Sequence, residues 1–185
     1  MKVTEKEIIE WMSHPRSQEK GLRALMDTHQ SRLYWHIRRL IVDHSLAQDV
    51  LQDTFIKAFQ NFHQFKKESK LYTWLYRIAT NEALQQLNKM KKMQKTDEDA
   101  EYHLQNLTAE NASATGEEIE IILQKAIHTL PDKQKLVFTL RYYDELPYEE
   151  ISNILEMSVG TCKTNYHYAK QKIEEYIKTN AEEID

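Results

Sequence analysis

The chain has few of the residues that interrupt regular structure or staple small folds. Its 185 residues include only 3 glycines, 3 prolines and 1 cysteine. So few breakers, set among abundant Glu, Lys, Gln, Leu and Ala, favour an all-α protein. The lone Cys162 excludes an intramolecular disulfide and suits a reducing, cytoplasmic setting. No apolar run reaches the roughly 18 residues of a membrane span, so direct membrane insertion is not expected. Met1 to Glu10 also lacks the apolar centre of a secretory signal. The 8 histidines are scattered without metal-ligand spacing, and no glycine-rich loop could cradle a phosphate. Asp49 and Asp53 form a carboxylate pair, but nothing near them in sequence suggests a pocket. The expectation is a protein that is not an enzyme and holds no cofactor or metal.

Charge is unevenly distributed. The formal net charge is -4, which alone would not suggest a nucleic-acid partner. Between Arg16 and Lys95, however, 15 Lys/Arg stand against 7 Asp/Glu, a local +8. Thr96 to Glu120 holds 8 acidic and no basic residues, a local -8, and Ser158 to Lys178 holds 4 Lys against 2 Glu, a local +2. Such blocks can set basic patches against phosphate while an acidic connector stays clear of it. Solvated helix faces would show the same blocks, so charge alone does not decide.

Apolar periodicity divides the chain into two helical domains, 16–94 and 117–178, joined by an acidic flexible linker, 95–116. Leu22, Leu25, Met26, Leu33, Ile37, Leu40 and Ile41 recur at three- and four-residue spacing and predict a first helix. A second follows Ser45 as N-cap, with Leu46, Val50, Leu51, Ile56 and Phe59 as its inward stripe. A third runs from Leu71 to about Met90. The linker lacks any such period. Beyond it, Ile119, Ile122, Leu123, Ala126, Ile127 and Leu130 begin the second domain, with Pro131 in the first turn of the next helix.

The end of the second domain carries the sharpest signal. Leu146-Pro147 opens a short helix, Glu156-Met157-Ser158 forms a turn, and a longer helix follows. In that helix Val159, Cys162, Tyr166, Ala169 and Ile173 keep a buried spacing, which makes Cys162 a core residue rather than a reactive thiol. The opposite face displays Thr161, Lys163, Thr164, Asn165, His167, Tyr168, Lys170 and Gln171. A polar, basic helix after a tight turn has the geometry of a helix-turn-helix reading the DNA major groove. A hairpin with a hydrated, protein-binding face is the blander alternative.

In the first domain, Tyr72, Trp74, Tyr76, Arg77, Asn81, Asn88 and Lys89 share one run, preceded by Lys66, Lys67 and Lys70. Aromatics interleaved with cations and amides can stack on unpaired bases and hold phosphates, although Trp74 and Ile78 also read as core. Asp49 and Asp53, four apart and on one helix face with Gln52, suit a protein partner better than phosphate. Solvated surface accounts for that acidic face equally well.

Three segments together resemble the bacterial RNA polymerase sigma-70 factors of the extracytoplasmic-function type. They are Ala47-Gln48-Asp49-Val50-Leu51-Gln52-Asp53-Thr54-Phe55, Thr73-Trp74-Leu75-Tyr76-Arg77-Ile78-Ala79-Thr80-Asn81, and Leu130 to Ile173. The resemblance covers residues 20–93 and 118–177. It implies a sigma factor that binds core RNA polymerase and directs promoter-specific initiation, often under an anti-sigma factor. The first domain would be sigma region 2, engaging the polymerase clamp and opening the -10 element. The second would be region 4, reading the -35 element. Carried over, Asp49, Gln52, Asp53, Phe55 and Phe59 dock on polymerase, the phenylalanines largely as core. Lys66, Lys67, Lys70, Tyr72, Arg77, Asn81 and Lys89 serve the -10 element. Thr161, Lys163, Thr164, His167, Tyr168 and Lys170 serve the -35 element.

Two departures bear on specificity. Gln85-Gln86 and Asn88-Lys89 stand where the family commonly has Asp and Arg. Thr164-Asn165 and Tyr168 stand where the family often has a Ser-Arg pair and a further arginine; an arginine can grip guanine bidentately, so the resemblance implies a different -35 preference here. A duplex-binding repressor or activator, and a helical adaptor for an acidic protein, are the competing readings. The first would have no use for a docking helix and a strand-binding helix.

Overall fold

A computed structural model describes residues 3–41, 43–93 and 117–181. The described residues are helical with no strand, and the chain divides into two units, 1–93 and 94–185. The acidic linker and the side chain of Ile119 lie outside the described residues.

The first unit begins before Arg16, with α1 (Glu5–Ser13). Thr4 and Glu7 form a reciprocal capping box: Glu7 N–H donates to Thr4 Oγ1 at 3.3 Å, and Thr4 N–H to Glu7 Oε2 at 2.8 Å. These bonds from Thr4 hold the Glu7 carboxyl below its ordinary pKa. α2 (Gln18–Leu40) folds back on α1. Gly21 permits the close crossing, because a Cβ there would sit 2.7 Å from the Met12 nitrogen. α3 (His44–Gln60) is capped by Asp43, whose Oδ1 accepts from Leu46 N–H at 2.7 Å. The cap is thus Asp43 rather than Ser45. Both are good capping residues; Leu46 stands at the third helical position after Asp43, where a cap side chain reaches its N–H. A 3-10 turn, Phe62–Gln64, and a loop lead to α4 (Leu71–Met93).

Leu25, Leu33, Ile37 and Ile41, with Leu71, Leu75, Ala79 and Ala83 of α4, are among the inaccessible residues of the first unit. Each buried Leu or Ile contributes about 1.5–3 kcal/mol. The buried His36 would be costly here without a partner. Its Nε2 lies 2.9 Å from Thr80 Oγ1 and joins α2 to α4.

The second unit contains α5 (Glu117–Thr129), α6 (Asp132–Tyr142), α7 (Tyr148–Leu155) and α8 (Val159–Ala181). Pro131 and Pro147 are the N-caps of α6 and α7, where a missing N–H leaves no bond unmade. Pro131 therefore sits one step ahead of the first turn expected for it. Ala126, Ile127, Leu130, Phe138, Ala169 and Ile173 form the core that seats α8. Cys162 is buried beside it and burial pushes its thiol pKa up, as suits a packing residue.

Candidate nucleic-acid and polymerase interfaces

The turn between α7 and α8 is closed by serines. Glu156 takes a left-handed conformation (φ 53°), Ser152 Oγ donates to Met157 O at 2.6 Å, and Ser158 Oγ accepts Thr161 N–H at 3.0 Å. With the turn fixed, the phase of α8 is fixed too. Thr161, Lys163, Thr164, His167, Tyr168 and Lys170 are all exposed. At about 100° per residue they form two adjoining stripes, Lys163–His167–Lys170 and Thr161–Thr164–Tyr168. The Thr164 hydroxyl donates to Gly160 O at 3.0 Å and Asn165 Nδ2 to Thr161 O at 2.9 Å, so both side chains lie along the helix. Thr164 keeps its oxygen lone pairs for an incoming donor. Lys163 Nζ lies 5.9 Å from the centroid of Tyr148, whose ring also holds the Arg141 guanidinium at 5.0 Å.

In the first unit an aromatic cluster supports the basic loop. Trp74 packs edge-on to Phe62 at 5.9 Å and against Phe65 at 5.4 Å, which anchors both ends of the segment leading to the lysines. Lys66, Lys67 and Lys70 are exposed, with Lys67 in a left-handed conformation (φ 59°). Tyr72 is half-buried, and Lys70 Nζ lies 3.4 Å from its hydroxyl. Arg77 and the exposed Asn81 follow on one face, one turn apart. Lys89, also exposed, lies about 25 Å along the axis from Tyr72 at 1.5 Å per residue. The structure gathers Lys66, Lys67, Lys70 and Tyr72 at one end of α4 and leaves Lys89 apart. Tyr76, read as a possible stacking residue, is only 1% exposed and belongs to the core.

On α3, Asp49, Gln52 and Asp53 are exposed together. Phe55 is 4% exposed and faces inward, so it supports the helix and offers no docking surface; Phe59 is half-buried. Ile56, expected on the inward stripe, is 53% exposed. It lies three and four residues beyond Asp53 and Gln52 and so adds an apolar centre to the acidic face. Lys57, next along α3, makes an ion pair with Glu82 of α4.

A helical unit with an outward basic helix after a tight turn, and a second with a lysine loop before an aromatic helix, define a two-module helical protein with candidate nucleic-acid surfaces. Known proteins give the assignment. Residues 25–93 match the family described as sigma-70 region 2, and residues 120–173 match sigma-70 region 4. The chain is 32% identical over 169 residues to the ECF RNA polymerase sigma-E factor of Haemophilus influenzae, covering 86% of this chain and 89% of that protein. It is 30% identical over 172 residues to the RNA polymerase sigma-H factor of Pseudomonas aeruginosa, covering 88% and 89%. In fold it is similar to the sigma factor RpoE crystallised with the anti-sigma factor NepR from Bartonella quintana. That likeness has a TM-score of 0.67 and 22% identity, covering 86% of this chain and 98% of that one. The chain belongs to the extracytoplasmic-function family of RNA polymerase sigma-70 factors. Its function is promoter-directed transcription initiation through RNA polymerase. Among the described residues no helix is long and apolar enough to cross a membrane.

Proposed function

We propose that the two units divide promoter recognition between them while the chain rides on core polymerase. The acidic face of α3, Asp49, Gln52 and Asp53 around Ile56, docks on the enzyme. The loop 66–70 and the first turns of α4 capture the unpaired strand of the -10 element. Its lysines hold phosphates, and one base is flipped out beside Arg77 and Asn81. Binding energy to the exposed strand offsets lost base pairing, so strand opening needs no nucleotide hydrolysis by this protein. In the second unit α8 enters the major groove of the -35 element. Thr161, Lys163 and Thr164, near the start of α8, lie where side chains reach base edges, and Lys170 lies where a cation meets the backbone.

The observation that carries this reading is the outward presentation of all six α8 candidates behind a turn that fixes the helix phase. A helix serving only as scaffold would have no reason to group Lys163, His167 and Lys170 on one exposed stripe. The solved relative RpoE binds an anti-sigma factor. We assign this chain a regulator of the same kind, which would act by covering the polymerase- and DNA-binding faces.

The test is transcription in vitro from a genomic promoter library by core polymerase, with and without the full chain. Specific transcripts that appear only on addition are the expected result. Unaltered initiation by a folded chain that still binds promoter duplex would replace this reading with a conventional repressor or activator.

A further inference from the structure

We infer that Arg32, on α2, is a further strand-binding residue that completes with Tyr72 and Lys70 a bracket for one unpaired nucleotide. The inference rests on the strand-capture reading of α4. Nothing in the local sequence around Arg32 suggests this role. The fold brings it there.

Two cations converge on one ring. The Arg32 guanidinium lies 5.8 Å from the centroid of Tyr72 and 5.8 Å from that of Tyr76. Lys70 Nζ lies 5.4 Å from the Tyr72 centroid. Arg32 is exposed and Tyr72 half-buried, so this end of the seam is open to solvent. The inner end is fixed. Tyr72 meets Tyr76 edge-on at 85°, and Tyr76 packs against His36, which bonds Thr80. Arg32 and His36 are one turn apart on α2, as are Tyr72, Tyr76 and Thr80 on α4. The position of the Tyr72 ring is thus set by a buried ladder rather than by its own freedom.

The chemistry that fits is single-stranded nucleic acid. A base has a π face for the tyrosine ring, and the adjoining phosphate carries the negative charge that the two cations near that ring would share. A guanidinium also presents a planar fork to phosphate, which an ammonium does not. Duplex DNA does not fit the bracket, since its bases are stacked on one another.

The test is titration of the full chain with fluorescent single-stranded oligothymidylate at several salt concentrations. Each phosphate contact on a single strand adds roughly 0.7 to the slope of log affinity against log salt. Arg32→Gln is expected to weaken binding about fivefold at low salt and to reduce that slope by about 0.7, while Arg32→Lys keeps the slope. A purely structural arginine would lower affinity through the folded fraction and leave the slope unchanged. A wild-type slope in Arg32→Gln, alongside a reduced slope in Lys66→Gln, overturns the inference alone. No binding by the wild-type chain, or unchanged slopes in both variants, overturns the strand-capture reading with it.

Discussion

The carboxylate of Glu5 accepts a hydrogen bond of 3.0 Å from the backbone N–H of Leu71, tying the first turn of α1 to the first residue of α4 across 66 positions of chain. The first N–H groups of a helix have no partner within it. Here one of them is satisfied from another helix, directly after the lysine loop. Glu5→Ala is expected to destabilise the first unit by about 1 kcal/mol, the usual size of a lost cap. Glu5→Gln, whose amide oxygen still accepts, should cost less. Urea denaturation followed by tryptophan fluorescence reads this unit, since Trp11, Trp35 and Trp74 all lie in it. Equal midpoints for all three proteins would show that the bond contributes nothing.

The acidic face of α3 makes a separate prediction. Ile56 is an exposed apolar side chain beside Asp49, Gln52 and Asp53, the arrangement expected of a small interface with an apolar centre and a polar rim. Asp49→Lys and Ile56→Glu should each weaken core polymerase binding by about tenfold or more. Neither should alter the affinity of the second unit for duplex DNA. Fluorescence anisotropy with labelled chain and core enzyme measures the first quantity, and anisotropy with labelled duplex the second. Wild-type affinity for the enzyme in both variants would remove α3 from the docking surface.

Where sequence and structure agree, a period explains it. The inward stripe of α8, Val159 through Ile173, follows from 3.6 residues per turn once Ser158 fixes the start, so its exposed face was legible too. What sequence missed is of two kinds. Ile56 and Tyr76 were assigned by residue type, yet an apolar side chain can face solvent and a tyrosine can be core. Glu5 with Leu71, and Arg32 with Tyr72, are tertiary neighbours that no local pattern encodes. Ser45 as the cap was displaced by Asp43, a second capping residue two positions earlier.

Lys163 permits a discriminating measurement on α8. Its ammonium stands 5.9 Å from the Tyr148 ring, on the stripe shared with His167 and Lys170. Lys163→Ala should lower -35-dependent transcription by about 1–3 kcal/mol of binding free energy if it reads a base edge, and should relax sequence preference at one position. If it holds a phosphate, the loss should be uniform across promoters and the salt slope should fall by about 0.9. Transcription from promoters randomised over the -35 element separates the two. Undiminished output from every promoter would exclude Lys163 from the interface.

His128 makes the second unit sensitive to acid. Its Nε2 is buried and has no hydrogen-bond partner among the described residues. Burial, and then the positive charge of Lys135, lower its pKa to about 4 from an ordinary 6.5. Lys135 is held in place by donating to His128 O at 3.1 Å. The folded state therefore keeps the ring neutral where the unfolded state protonates it. Above pH 6.5 both states are neutral and the residue has no effect on the pH dependence. As pH falls from about 6.5 toward 4 the unfolded chain binds the extra proton, and stability is lost by at most about 3 kcal/mol. Amide hydrogen exchange in α5 and α8 reports this unit alone. Protection there should decline between pH 6.5 and 4, after correction for intrinsic exchange, and His128→Phe should flatten the decline. The same decline in the variant would place the acid sensitivity elsewhere in the unit.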